Sequence, residues 1–143
     1  MLEIIQTYWL YFLIGQYPNG PLGGLALTLI LAACGLVLAL PLGIAFGLAR
    51  VSPWRWLRWP VTAFVFVVRG VPLLMVVFWA YFFLPSVTGV KTDQFTTMLI
   101  ALVVFDAAYL AEIVRAGIQG LPRGQMECAR ALGLGYGRAM RFV

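Results

Sequence analysis

Charged residues are scarce in this sequence, and histidine is absent. Only 10% of the 143 residues are charged, whereas soluble domains carry about a quarter charged residues. The stretch between Glu3 and Arg50 contains no charge at all. Together with 63% hydrophobic residues, this composition excludes an ordinary soluble domain and indicates an integral protein of the lipid bilayer.

The sequence also lacks the residues on which several catalytic chemistries depend. It has no Gly-x-x-x-x-Gly-Lys-Ser/Thr loop, so we expect it to bind no ATP or Mg²⁺ itself. Without histidine, a zinc-binding helix motif or a nucleophile elbow, a membrane enzyme is disfavoured. Cys34 lies in an apolar run and Cys128 in a charged segment, so neither a disulfide nor a metal site is predicted. The net charge of +5 is an arginine excess typical of cytoplasmic loops, and it does not indicate nucleic-acid binding.

Three long apolar runs predict an all-α membrane protein with three transmembrane helices. The spans are expected at about residues 22–49, 60–84 and 94–115, within a transmembrane domain over residues 22–118. Residues 1–21 hold a shorter aromatic helix of about 20 Å, too short for the hydrocarbon layer of about 30 Å, and therefore predicted to be interfacial. The arginine- and tryptophan-rich loop at residues 50–60 contains no acid, so we expect it in the cytoplasm and the N-terminus outside.

Small residues recur along the first span at roughly helical spacing. Such residues let helix backbones approach each other in a bilayer, and Pro41 is expected to kink the span. Generic helix packing is favoured over direct contact with a substrate. The residues that form this pattern are Gly24, Thr28, Ala32, Gly35, Ala39 and Gly43.

The second run is interrupted by Arg69, Gly70, Val71 and Pro72. Gly70 and Pro72 break a helix, and the proline pushes Val71 towards an extended conformation. Because an arginine facing lipid is costly and freed backbone groups need partners, we expect the break to face protein or a water-filled path. The alternative is an interfacial arginine before a helix that begins later, although residues 72–84 would then cover only about 20 Å.

The third run carries acidic residues at two depths. Asp106 lies well inside the apolar residues, so its carboxyl is expected to face other helices or an aqueous cavity. Glu112 and Arg115 are three residues apart and can pair at the cytoplasmic end. A solvated helix end is the favoured interpretation of that pair. Asp93 is predicted to cap the start of this helix.

Residues 119–143 form a charged, glycine-rich segment after the third span. A short helix is predicted over residues 125–132, closed by Gly133 as a C-terminal cap. A flexible elbow at residues 134–137 then leads into a second helix that starts at Arg138. Helices this short are marginal alone in water, so the membrane surface, the rest of the protein or a partner must hold them.

The motifs in this tail resemble the cytoplasmic loop of permease subunits of bacterial ATP-binding-cassette importers. Glu127-Cys128-Ala129 stands for the Glu-Ala-Ala of that loop, Gly133 follows at the required spacing, and Val143 takes the place of its isoleucine. Further matches resemble the polar amino-acid permeases, most of all the glutamate/aspartate branch. These matches are short sequence motifs whose first residues are Gly24, Arg69, Phe78, Tyr109 and Pro122.

The resemblance implies a type I importer permease of the bacterial inner membrane, with the C-terminus in the cytoplasm. Such permeases have five core spans, so the chain is expected to be an N-terminal fragment that ends inside the loop. The implied partners are a cytoplasmic ATP-binding-cassette subunit that binds ATP and Mg²⁺, a second permease of the same or a sister type, an extracytoplasmic amino-acid-binding protein and a polar amino acid.

The resemblance also implies which residues take part in transport. For coupling to the ATPase these are Arg123, Gly124, Gln125, Glu127, Cys128, Ala129 and Gly133. The candidates for the translocation path are Arg69, Gly70, Pro72, Asp106 and Glu112. The alternative is a fragment of a secondary transporter or channel, in which Asp106 and Arg69 would serve an ion relay.

Overall fold

The computed structural model describes residues 2–89 and 93–142, which fold into α-helices joined by turns and short irregular segments, with one isolated antiparallel bridge between Gly15 and Leu22. The all-α prediction is confirmed. Val143, used in the motif comparison, lies outside the described residues. The helices are α1 (Leu2–Ile14), α2 (Gly24–Val51), α3 (Arg55–Arg69), α4 (Leu73–Thr88), α5 (Gln94–Gln119), α6 (Arg123–Ala131) and α7 (Tyr136–Phe142).

The centre of the fold is the close pairing of α2 with α5. Both helices, of 28 and 26 residues, are long and apolar enough to cross a membrane. A Cβ atom on Gly43 would lie 2.5 Å from Cβ of Leu110, and one on Gly47 would lie 2.6 Å from Cβ of Val114. Only glycine fits at such separations, so the two backbones touch as small residues allow in a bilayer.

Half of the small-residue pattern predicted for the first span is buried. Gly35, Ala39 and Gly43 are buried, as expected for packing, and Gly47 continues the same row. The other three members of the pattern, Gly24, Thr28 and Ala32, are exposed. α2 continues through Pro41 as one helix. The buried residues of α5 are also small, namely Thr97, Ala101, Ala107, Ala108 and Ala111.

The second predicted span differs from a single kinked helix. It forms two helices, α3 and α4, whose axes are bent by 107° about residues 70–72. Pro72 has no N–H to continue the ladder, which explains why α3 ends before it. The pair makes a third span only if it is counted as one broken helix. α3 begins at Arg55, so the predicted loop shrinks to a turn at residues 52–54.

α3 packs against α5. Val65 is buried in one small cluster with Ala108 and Ala111 of α5. Arg69, one turn further along α3, reaches Glu112 of α5. The end of α3 is thereby brought to the α2–α5 pair.

The predicted cap of α5 is confirmed. An oxygen of the Asp93 side chain accepts a hydrogen bond from the backbone N–H of Thr96 at 3.2 Å. The hydrogen bonds from Thr96 hold the pKa of this carboxyl below its ordinary value. The start of the third apolar run is therefore defined by a local hydrogen bond.

We expect Gly43→Ala to lower the thermal unfolding midpoint of the purified protein in detergent, because the added methyl group must push α2 away from Leu110. Overpacking of this kind costs about 1–3 kcal/mol. Gly117→Ala on α5 is the matched control, since no described atom lies within 4 Å of its added methyl group. Equal midpoints for the two variants would contradict the tight α2–α5 contact.

Candidate functional site

A cluster of charged side chains lies where α2, the end of α3 and α5 meet. Oε2 of Glu112 accepts a hydrogen bond from Nη1 of Arg50 at 2.5 Å and lies 3.1 Å from Nη1 of Arg69. Oε1 of Glu112 accepts from Arg115, with Nε at 2.9 Å and Nη2 also within reach. The predicted Glu112–Arg115 pair thus forms, but as one part of a four-residue cluster and not as a solvated helix end.

The break in the second span sits against this cluster. The Gly70 N–H donates to the carbonyls of Phe66 and Val67, at 3.0 and 3.2 Å, and so closes α3. Pro72 caps the start of α4 in an extended conformation. Arg69, beside them, also lies over the ring of Tyr109 with its guanidinium carbon 5.2 Å from the ring centre. The structure therefore brings together Arg69, Gly70 and Glu112.

Arg50 belongs to the cluster although sequence reasoning assigned it only to an interfacial loop. Its side chain is 10% exposed, and its Nε atom has no hydrogen-bond partner among the described residues. The sequence gives only a weak indication that Arg50 lies in such a cluster. Arg50 is the first charge after a long uncharged stretch, and it falls in the last turn of α2, whose small residues face α5.

Asp106 stands apart from the cluster. It precedes Glu112 by six residues on α5, a rise of about 9 Å along the helix. Its side chain is half-buried, and within the described part of the chain it forms no hydrogen bond or ion pair. The five candidates for a translocation path therefore do not form one site.

The tail bends at Gly133, which adopts a left-handed conformation with φ of +74°. Its N–H donates to the carbonyl of Arg130 at 2.9 Å, and the N–H of Leu134 donates to the carbonyl of Ala129 at 3.0 Å. This pair of bonds is a Schellman motif, which ends α6 with a fixed turn. The predicted glycine cap is confirmed, while the helices themselves start two residues earlier than expected.

Most of the predicted coupling residues lie on one side of this bent tail. An open groove of about 590 Å³ lies between α6 and α7 and is lined by Gly124, Gln125, Cys128, Ala129, Leu132, Leu134 and Phe142. The first four of these are predicted coupling residues. Glu127 is exposed on α6 but does not line the groove, Gly133 forms the bend, and Arg123 begins α6. The structure thus separates the groove from the exposed acid.

The tail also lies near the end of the α2–α5 pair. Tyr136 and Gly137 of α7 line a cavity of about 420 Å³ together with the α2–α3 turn. From α2 this cavity takes Ala45, Leu48, Ala49 and Val51, and from the turn and α3 it takes Ser52, Pro53, Trp54 and Leu57. Arg50 lies between two of these residues, so the tail and the charged cluster share one end of the molecule.

Residues 39–143 match the family described as binding-protein-dependent transport system inner membrane component. This range includes the charged cluster, the break and the bent tail. The chain belongs to this family. The predicted recognition of an importer permease is confirmed.

Several family members resemble the chain closely. The arginine transport system permease protein ArtQ of Bacillus subtilis (strain 168) is 40% identical, over 84% of this chain and 55% of its own length. The permease protein BztC of Rhodobacter capsulatus is part of a glutamate/glutamine/aspartate/asparagine transport system. It is 39% identical over 99% of this chain and 36% of its own length.

A solved structure resembles the whole of the described fold. It is a crystal structure of an amino acid ABC transporter with histidines, one chain of which matches with a TM-score of 0.82 and 30% identity. The match covers 99% of this chain and 61% of that one. The chain spans about half the length of the curated relatives it matches.

We expect Gly133→Ala to loosen the bend between α6 and α7. A left-handed conformation costs a residue with a Cβ atom about 1–2 kcal/mol, so the turn should open more often. Limited trypsin digestion of the purified protein should then cut faster after Arg130 and Arg138. Gly137→Ala, in α7 with ordinary backbone angles and no described atom near its methyl group, should leave the cleavage rate unchanged. Unaltered cleavage in both variants would mean that the bend does not depend on Gly133.

Proposed function

We propose that this chain is part of the membrane-spanning permease of an ATP-driven importer for polar amino acids. The observation that carries the proposal is the bent tail, an exposed helix α6 with a fixed turn after it, in a member of a transport family. A permease needs such an element because the energy of ATP must enter the membrane part through a mechanical contact.

In this proposal α6 is the helix that docks on a soluble ATP-binding-cassette subunit. The Schellman turn fixes the angle between α6 and α7, so a push on α6 moves the tail as one piece. Glu127 and Gln125 are exposed and offer charge and hydrogen bonds to a partner surface. ATP and Mg²⁺ would bind to that partner, since the chain has no phosphate-binding loop.

The substrate would be a polar amino acid, delivered by a binding protein on the outer side. The named relatives serve arginine in one case and acidic amino acids and their amides in another, which supports the class and leaves the individual amino acid open. A second permease, of the same or a sister type, would complete the path. The irregular backbone at Gly70 and Pro72 could open there, and Asp106 is the candidate polar contact deeper in α5.

The tail and the α2–α3 turn would face the cytoplasm of a bacterium, with the N-terminus outside the inner membrane. The turn and the start of α3 carry tryptophans that are 61–72% exposed, namely Trp54, Trp56 and Trp59. The exposed Arg55 and the half-buried Arg58 lie among them, and no acid is present. Tryptophan and arginine in this combination favour the cytoplasmic membrane surface.

This orientation can be tested with Cys128, an exposed free thiol on α6. In a variant without Cys34, a membrane-impermeant maleimide should label Cys128 in inside-out vesicles and not in right-side-out spheroplasts. Asn19→Cys, in a variant without both native cysteines, should give the reverse result. Labelling of Cys128 in sealed spheroplasts would overturn the proposed orientation and with it the ATPase contact.

We expect Glu127→Lys, made in the complete transporter that carries this chain, to reduce both uptake and substrate-stimulated ATP hydrolysis about tenfold or more, because a docking surface that meets the wrong charge loses several kcal/mol. Membrane insertion should be normal. Uptake of radiolabelled glutamate, glutamine and arginine into proteoliposomes provides the measurement. Asn19→Lys adds a positive charge at the opposite proposed face and should leave transport intact. Full activity of the Glu127 variant would count against the docking role.

A further inference from the structure

Glu112 is the meeting point of three arginines from three parts of the fold. Arg50 comes from the end of α2, Arg69 from the break after α3, and Arg115 from the next turn of α5. Three positive charges against one carboxylate leave the cluster with a surplus of positive charge. The three arginines therefore compete for two oxygen atoms, and their contacts are unequal.

Arg69 is the arginine held least firmly. It shares Oε2 of Glu112 with Arg50, and two like charges repel each other across that atom. Its contact is 3.1 Å, against 2.5 Å for Arg50, and its side chain is 38% exposed, against 10%. The guanidinium of Arg69 also lies over the ring of Tyr109, and this contact does not depend on Glu112. Arg69 can therefore leave Glu112 without stripping the carboxylate of its other partners.

We propose that Glu112 is a positioning residue for transport, held in place by Arg50 and Arg115, and that the contact between Arg69 and Glu112 breaks and forms again during transport. The proposal rests on the proposed function as an importer permease. Residues 70–72 are the non-helical hinge between two helices bent by 107°. While Arg69 contacts Glu112, the end of α3 is fixed to α2 and α5. Its release frees the hinge while the α2–α5 pair stays intact.

Arg50 and Arg115, the two arginines that hold Glu112 in place, both lie next to the tail that contacts the ATPase in the proposed function. Nη1 of Arg115 donates to Oε1 of Gln119 at 2.5 Å, and Gln119 is the last residue of α5 before the turn to α6. On the other side, Tyr136 of α7 shares a cavity with the residues that flank Arg50. Both arginines therefore lie at the end of the molecule where the tail begins and where α7 borders the α2–α3 turn.

The test compares Arg69→Gln, Arg50→Gln and Glu112→Gln in the complete transporter in proteoliposomes. Arg69→Gln should keep the thermal unfolding midpoint, but the amino acid taken up per ATP hydrolysed should fall about tenfold. The apparent KM should not change, because the residue positions the hinge and does not hold the substrate. Arg69→Lys should restore most uptake, since one 3.1 Å contact needs the charge and not the guanidinium fork.

Glu112→Gln should instead lower the unfolding midpoint, because it leaves the charge of the mostly buried Arg50 unpaired. Arg50→Gln should lower the midpoint as well, because it removes the hydrogen bond that joins the end of α2 to Glu112 of α5. The double variant that combines Arg50→Gln with Glu112→Gln should be no less stable than Glu112→Gln alone, as expected for two groups that act together. Arg55→Gln, an exposed residue on α3 with no ion pair in the described part of the chain, is the matched control and should change none of these readouts.

Two results would overturn the proposal. One is an unchanged uptake per ATP in Arg69→Gln, and the other is a loss of stability in Arg69→Gln equal to that in Arg50→Gln. A change in KM for Arg69→Gln would assign the residue to substrate binding and also contradict a positioning role. If the unsubstituted transporter imports none of the three radiolabelled amino acids, the proposed function fails. The unfolding midpoints would still test how firmly each of the three arginines is held to Glu112.

Discussion

The close approach of α2 and α5 is the constraint on which the other features depend. Gly43 and Gly47 bring the two backbones together where any larger residue would collide with Leu110 or Val114. In a bilayer the hydrophobic effect does not hold helices together, so packing of this kind and polar contacts must do so. The contact at Gly47 also involves Ala111, the neighbour of Glu112. One turn of α2 further on, Arg50 is thereby carried to Glu112.

The charged cluster gives a physical reason for the broken second span. Four charged side chains next to an apolar core are expensive unless they are paired. Here one carboxylate serves three arginines, and one of them, Arg69, immediately precedes the irregular backbone at Gly70 and Pro72. The break is thus placed where polar groups are available, as a membrane protein requires. The same arrangement joins one end of the break to the tightly packed α2–α5 pair.

The tail follows a different rule, because local hydrogen bonds define it. Gly133 closes α6 through a Schellman turn that involves only residues 129–134. α6 and α7 therefore keep their mutual angle without a large core, and their exposed faces stay available. Their position beside the α2–α3 turn connects a locally defined element to the α2–α5 pair. This connection supports the proposed role of the tail in coupling to an ATPase subunit.

Features that arise from local chemistry could be predicted from the sequence. The apolar runs of α2 and α5, the Asp93 cap, the helix break at Gly70 and Pro72, and the turn at Gly133 all follow from composition or from the conformational limits of single residues. The family motifs also lie in short, contiguous segments, which is why the resemblance was visible. Each of these signals acts within a few residues and needs no knowledge of distant contacts.

Only the tertiary structure decided which charges meet and how the second span lies. Arg50 and Glu112 are separated by 62 residues, and nothing in the spacing of either indicates the other. Likewise, the packing of α3 against α5 depends on the contact of Val65 with Ala108 and Ala111, which a pattern of apolar residues does not specify. Long-range pairing is set by the shape of the α2–α5 interface, and that shape exists only once the two helices have come together.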